Sequence, residues 1–395
     1  MKRVEDLRVL IDRIPYAEGN IGEEAILASL LQDLEACGIR SVSVISNQPE
    51  RTQTRHGNKV NVISDGPRNW LTMPFNIRKY DLLIWGGGHM LQDRSSQFYI
   101  PYVTKTLLLA RLTGIPRFIY APGLGPVVNQ LGKFLSKLAI NGSSTIIVRD
   151  EGSVDLLNEI GVKGKISQTA DPGFSLQTVH DDIQFETSES PLIGLAPRKL
   201  FYRKGSILPV SWQSPDNLAN PRFERFAEET AAALDLLVEK RNARIVLIPM
   251  DIGPNPRDDL VCRQISRYMK NSANVKIYDD DPTLELFIRR LAELDLLVSA
   301  RLHGIILGLR FGLPFIGIDS DGKILRLAER IGADEYVIRD ADFERDCFYD
   351  VACRILDSRE RLRSNFLLHR AKLSAKAKEN INLLKLYLNA ICRQN

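Results

Sequence analysis

No stretch of this sequence carries the GxGxxG spacing of a dinucleotide-binding turn, the GxxxxGK[ST] of a P-loop or the GxSxG of a serine-hydrolase elbow. Those three chemistries therefore lose their specific support. Cysteine is scarce: Cys37, Cys262, Cys347, Cys353 and Cys392 are odd in number, scattered, and never at CxxC spacing. Neither a disulfide framework nor a zinc site fits that pattern, and reduced thiols in a cytoplasmic protein are expected. The five histidines are dispersed, so no catalytic metal centre is expected. "YDDDP" (278–282) reads instead as a turn and helix cap before Thr283. An excess of one charge is also missing. With 53 Lys and Arg against 49 Asp and Glu, the net charge of +4 does not indicate a nucleic-acid partner. No uninterrupted apolar run approaches bilayer length, which argues against a spanning helix. The start, "MKRVEDLRVL", shows acidic residues where a signal peptide would place its apolar region, so no signal is expected. Any membrane contact is expected to be peripheral, at the inner face.

What is present is alternation. At 395 residues the length favours two domains, and short strand-like runs alternate with helical stretches almost throughout. In the first half the strand candidates are "RVLIDRI" (8–14), "SVSVIS" (41–46), "NVIS" (61–64), "DLLIWGG" (81–87), "RFIYAPG" (117–123) and "TIIVRD" (145–150). Helical candidates cover 22–36, 98–112, 128–140 and 151–160. Apolar strands without polar alternation suit a parallel sheet covered on both faces. The polar, acidic "VHDDIQFETSESP" (179–191) reads as a linker. The pattern then restarts with "LIGLAPR" (192–198), "RIVLIPMD" (244–251), "VKIYDD" (275–280), "LDLLVSAR" (294–301) and "PFIGID" (314–319), with helices fitting 222–238 and 282–292. The predicted architecture is α/β: two Rossmann-like, doubly wound domains over 1–180 and 190–356. A basic, amphipathic helical segment over 357–395 is expected to pack on the body with a solvated basic face.

Ligands of such sheets bind beyond the carboxyl ends of strands, so polar residues there carry the most information. In "EGNIGEEAIL" (18–27), Gly19, Asn20 and Gly22 form a loop that lets backbone approach a ligand at a helix start. Glu23 and Glu24 follow it, though acidic residues also suit a helix N-terminus for dipole reasons alone. In "WGGGHMLQD" (85–93), Gly86, Gly87 and Gly88 need either close packing or a ligand to justify their backbone entropy. His89 and Asp93 are expected four residues apart on one side of a helical turn; a tight turn with a local His–Asp contact is the structural alternative. Arg198 ends "GLAPR", Arg301 ends a later strand, and Lys323 opens the helix after "GIDSDGK". Taken singly each fits a surface ion pair. Converging beside His303, they suit a small, multiply charged anion, which a guanidinium fork matches bidentately.

The ordered set "GNIGEEAIL", "GGGHMLQD", "APGLGP", "VRDEGSVDLL", "ADPGFSL", "GLAPR", "SARLHG" and "GIDSDGK" resembles the polysaccharide pyruvyl transferase family from Gly19 to about Lys323. Each motif is weak alone; their order is specific. Glu23 departs from the family's usual aspartate, and nothing past Asp340 carries a family motif. The resemblance implies two facing Rossmann-like domains of the GT-B type. It implies transfer of pyruvate from phosphoenolpyruvate to two hydroxyls of a sugar, giving a cyclic ketal and inorganic phosphate, without a cofactor or metal. The acceptor is a polysaccharide or its lipid-linked precursor, taken on the first-domain side. Arg198, Arg301, Leu302 and Lys323 are then the donor-binding residues. His303 is the candidate acid for the methylene carbon, and Asp93, or Glu23 with Glu24, is the candidate base. Homo-oligomerisation stays open.

Two rivals remain at this point. A nucleotide-sugar glycosyltransferase of the same architecture would need an acid near a second-domain strand end, and Asp319 or Asp321 stands there. A non-catalytic saccharide-binding relative is the other; it would be signalled by loss of Arg301 or His303, and both are present.

Overall fold

The computed structural model describes residues 2–14, 19–93, 96–178, 189–200, 220–253, 257–271 and 274–394. Most of the expected linker, 179–188, lies outside these residues. The described chain divides into two compact units. One holds the residues up to Gln177 together with those from Leu373 onward, and the other holds those between, to Lys372.

The first unit is built on a seven-stranded parallel sheet. Its strands, in chain order, are β1 (Arg8–Asp12), β2 (Ser41–Ser46), β3 (Asn61–Ser64), β4 (Leu82–Gly86), the two-residue β5 (His89–Met90), β6 (Arg117–Tyr120), the two-residue β7 (Gly123–Leu124), β8 (Thr145–Val148) and β9 (Ile166–Gln168). The sheet runs β3-β2-β1-β4-β6-β8-β9, while β5 and β7 pair with each other. Strand order reverses between β1 and β4, where Val9 lies beside Leu82 and Asp12 beside Trp85. Successive β1 side chains point to opposite faces. Leu10 joins Met73, Ile100, Val103, Leu107 and Ala139 in one core, so the helices Pro67–Asn76, Tyr99–Thr113 and Gln130–Ile140 cover one face. Val9 and Ile11 join Ile26, Leu27, Leu30, Leu384 and Leu388 in another, under the helices Ile21–Ala36 and Glu379–Gln394.

The second unit repeats the plan with β10 (Leu192–Ala196), β11 (Arg244–Leu247), β12 (Val275–Ile277), β13 (Leu296–Ser299), β14 (Phe315–Asp319) and β15 (Val337–Arg339), in the parallel order β12-β11-β10-β13-β14-β15. Its reversal falls between β10 and β13, with Ile193 beside Leu296 and Ala196 beside Ser299. Helices Pro221–Arg241 and Leu284–Ala292 occupy the expected places, the second capped by Thr283, whose hydroxyl accepts the Leu286 N–H. The edge strands β9 and β15 were not legible in advance, because they are short and largely half-exposed, with no apolar run. Neither was the helix Pro49–His56, a polar segment whose start is set by proline at its first position.

The terminal segment is divided. Phe366 stacks on Phe315 of the second unit, ring centroids 5.5 Å apart. Past a break at Lys378, Asn380 is fully buried in the first unit, donating to the Ala170 carbonyl and accepting the Thr169 hydroxyl at 2.6 Å. Among the described residues no helix is long and apolar enough to cross a membrane.

Candidate active site

At the carboxyl end of β1, Gly19 has φ +123° and Asn20 caps the next helix, its Oδ1 accepting the Gly22 N–H at 2.9 Å. The two acids that follow point apart. Glu23 is buried against the glycine loop after β4: a Cβ built on Gly88 would stand 3.2 Å from its Oε1. Glu24 turns the other way and meets His56 Nε2 at 2.7 Å, with Arg55 at 3.6 Å.

The three glycines differ in purpose. Gly86 has φ +143°, and a Cβ there would lie 2.6 Å from the Tyr120 carbonyl oxygen; one on Gly87, at φ +85°, would strike the Ile14 side chain at 2.6 Å. Close packing explains those two. Of the three, Gly88 is the one that faces the candidate residue Glu23. The expected helical turn after them does not form. Instead His89 and Met90 extend as β5 alongside Gly123 and Leu124, and Leu91 takes φ +49°. His89 and Asp93 therefore do not share a helical face: the chain pairs with β7 before it can wind. The Asp93 carboxylate accepts the N–H groups of Val128 and Asn129 at 2.7–3.1 Å, tying down the start of helix Gln130–Ile140.

Beside this loop lies a charged network that the sequence reading passed over. Arg13, at φ +68°, contacts Asp12 at 3.1 Å and Asp65 at 3.2 Å and sits 4.6 Å above the Tyr102 ring. The Lys105 amine bonds Asp65 at 2.9 Å and lies over the Trp70 ring at 3.7 Å. Burial pushes the Asp65 carboxyl up, but Arg13 and the donors Tyr102, Lys105 and Trp70 outweigh it and hold it below the ordinary range. The one hint in the sequence was a charged pair, Asp12-Arg13, inside an apolar strand run.

In the second unit the donor candidates gather at the reversal point. Arg198 follows β10 and Arg301 follows β13, the two strands that flank it. The turn "SARLHG" is locked from within: Ser299 Oγ accepts the Arg301 N–H at 3.1 Å and donates to the Arg301 carbonyl at 2.8 Å. Gly304 fits because a Cβ there would meet Ser299 Oγ at 2.7 Å and Met250 Sδ at 2.9 Å. Leu302 and His303 open the helix Leu302–Gly308 and are half-buried.

Arg301 is clamped by an acid that sequence reasoning missed. Its Nε and Nη2 donate to the two oxygens of Asp258 at 3.0 and 2.6 Å, a bidentate pair, with Asp251 at 3.6 Å. Asp258 is wholly buried, and that burial raises its carboxyl above the ordinary range even though Arg301 and Arg198 pull it down. Asp258 sat near the start of an unrecognised helix, Asp258–Tyr268, where an acid needs no further explanation. Arg198 and Lys323 share Asp321, at 3.9 and 2.8 Å. Asp319 is spent on the following helix, accepting the N–H groups of Gly322 and Ile324 at 2.7 and 3.0 Å. Asp340 faces the same cluster: burial raises its carboxyl, Arg198 lowers it, and Asp319 and Asp321 raise it further. The three expected cations are thus together, already neutralised by aspartates.

A family model described as polysaccharide pyruvyl transferase matches residues 20–322, from the Asn20 cap through the Arg301–His303 turn to Gly322. The chain belongs to this family. As a polysaccharide pyruvyl transferase family member it is 22% identical over 267 residues to the amylovoran biosynthesis protein AmsJ of Erwinia amylovora, covering 66% of this chain. The match spans 61% of that relative's length. Solved structures share the family member's fold at low identity. The UDP co-structure of MnaA from Staphylococcus aureus has a TM-score of 0.63 at 12% identity, covering 97% of each chain. A UDP-N-acetylglucosamine 2-epimerase also reaches 0.63 at 14% identity, covering 98% of this chain and 97% of that one. A glycosyltransferase from Rickettsia africae reaches 0.56 at 14% identity, covering 97% and 98%. The family's motifs also serve the scaffold: Arg149 of "VRDEGSVDLL" and Asp171 of "ADPGFSL" form a buried ion pair at 2.6 Å. Among the described residues no three His, Cys, Asp or Glu side chains are arranged to hold a metal ion.

Proposed function

We propose that the chain transfers pyruvate from phosphoenolpyruvate to two hydroxyls of a saccharide, in a polysaccharide or its lipid-linked precursor, forming a cyclic ketal and releasing inorganic phosphate. The observation that carries this reading is the grouping of Arg198, Arg301 and His303 beside the strand reversal of one sheet, inside the family match, with Lys323 at the next strand end joined to Arg198 through Asp321.

The donor carries a carboxylate and a phosphate, and three cations complement them. Arg301 arrives oriented, because Asp258 occupies its Nε/Nη2 edge. Arg198 and Lys323 exchange their shared Asp321 for ligand oxygens. His303 delivers a proton to the methylene carbon, which becomes the methyl group, and positive charge develops at C2. A first hydroxyl adds to C2 and gives up its proton, the C2–O bond to phosphate breaks, and a second hydroxyl closes the ring with loss of another proton. Glu23 is the assigned base for an acceptor hydroxyl. Nucleotide-sugar transfer is the weaker reading, since Asp319 caps a helix and Asp321 pairs with two cations.

The test is turnover with phosphoenolpyruvate and a panel of synthetic or lipid-linked glycans, read by mass spectrometry. In heavy water the ketal methyl should carry deuterium from solvent. His303→Gln should lose about 10²–10⁴-fold in turnover while still binding donor. Wild-type turnover by His303→Gln, or turnover of a nucleotide sugar alone, overturns the assignment.

A further inference from the structure

The first unit presents a face whose composition departs from the rest of the chain. From Gly66 to Arg149 the sequence holds ten Lys and Arg side chains, of which Arg117 and Arg149 are buried, but only two acids, Asp81 and Asp93, whereas the whole chain is near balance. Both acids are engaged within the fold. Asp81 takes Lys2 and the Arg8 N–H, and Asp93 takes the N–H groups of Val128 and Asn129. The helices Pro67–Asn76, Tyr99–Thr113 and Gln130–Ile140, which carry no acid at all, lie together on one side of the sheet. Their outward surface is also apolar. Leu71, Phe75, Phe98, Val128, Leu131 and Phe134 are 58–79% exposed. With Leu112 they make up seven of the twelve large apolar side chains exposed among the described residues. Exposed basic residues stand among them, notably Arg68, Arg78, Lys79 and Arg111.

We infer that this helix face docks on an anionic lipid surface. Exposed aromatic and aliphatic side chains with exposed cations close by in sequence match the acyl boundary and headgroup layer of such a bilayer. A second copy of the chain fits poorly, because two such faces would bring like charges together, and Glu159, the acid beside Lys133 of these helices, is already paired with it at 2.6 Å. A nucleic acid would answer the charge and leave the phenylalanine and leucine side chains in water. The inference does not depend on the pyruvyl-transfer reading, since binding is read without catalysis.

The experiment is flotation of the purified full chain with phosphatidylcholine vesicles and with vesicles containing phosphatidylglycerol. Binding should require phosphatidylglycerol and weaken with salt. The double variant Leu131→Ser/Phe134→Ser removes exposed apolar groups and should melt like wild type, yet bind anionic vesicles roughly tenfold or more weakly. Arg78→Gln and Lys79→Gln should each cost roughly fivefold in partitioning. Turnover on a soluble acceptor should be unchanged in all three. Equal binding to both vesicle types, absence of binding, or wild-type binding by the double variant overturns the inference. So does a concentration-dependent dimer, seen by sedimentation velocity, that the double variant abolishes, since the face would then belong to a second copy.

Discussion

Arg301 and Asp258 show how a buried partner fixes the orientation of a candidate site residue. A lone arginine after a strand swings through many rotamers; one held bidentately by a buried carboxylate presents a fixed edge to a ligand. Asp258→Ala strips the partner from a largely buried guanidinium, and such losses cost about 3–5 kcal/mol. Denaturant unfolding should register that drop, and a shift within ±0.5 kcal/mol would mean the pair is dispensable. Asp321 has the opposite character. It is part-exposed and pairs with Arg198 and Lys323, which on the proposed reading it yields to the donor's oxygens. Asp321→Asn should therefore tighten donor binding by about threefold to tenfold, as expected when a competing charge-assisted contact is removed. Calorimetric titration with phosphoenolpyruvate checks this, and weaker binding would make Asp321 a ligand contact. Arg198→Ala, which removes the guanidinium itself, should weaken the same binding by roughly tenfold to a hundredfold.

At the scale of elements, two turns that carry candidate residues, one in each unit, rest on glycine for different reasons. Gly304 is helical and is set by space, since Ser299 Oγ and Met250 Sδ fill the position a Cβ would take. Gly86 is set by conformation as well as space, with φ +143° and the Tyr120 carbonyl 2.6 Å from a would-be Cβ. Gly86→Ala should thus be the costlier change, by about 1–3 kcal/mol for the backbone alone, and Gly304→Ala the more selective one. Pushing Ser299 away loosens Arg301, so Gly304→Ala should raise the donor dissociation constant while leaving the unfolding midpoint close to wild type. Thermal melts and donor titrations of both variants separate the two roles. A Gly86→Ala protein as stable as wild type would contradict the strain argument.

For the whole molecule, buried charge links stability to pH. Burial raises the Asp33 carboxyl from 3.8 to about 6, with the Tyr120 hydroxyl at 2.8 Å and Lys385 moderating the rise. The folded state then holds this proton more tightly than the unfolded chain does. The group's contribution is full below pH 3.8 and is lost as pH rises through about 6; above that the ionised form costs about 3 kcal/mol. Asp33→Asn keeps an acceptor for Tyr120 without the charge, so it should be stabilising at pH 8 and near neutral at pH 4. Denaturant unfolding at the two pH values tests this, and a variant less stable at pH 8 would reverse the sign.

Much of this protein was settled by local pattern. Apolar runs at strand length, helices between them and glycine at the turns dictate two parallel, doubly wound units, because such runs are stable only when covered on both faces. That Arg198, Arg301, His303 and Lys323 stand just past strand ends was legible, because strand runs and the turns after them show in the sequence. Helix Pro49–His56 and strand β9 were not, since polar or short segments leave no periodic trace. What tertiary structure alone decided is pairing across distance. Asp258 meets Arg301 from 43 residues away, and Asp65 collects Arg13, Trp70, Tyr102 and Lys105. His89 and Met90 extend to pair β5 with β7 instead of winding into a helix, so His89 and Asp93 do not share a helical face. Periodicity records which face a residue takes, not which partner it meets there. Coulomb energy and burial, which decide the charge state of a site, depend on that partner and on the depth at which the two are held.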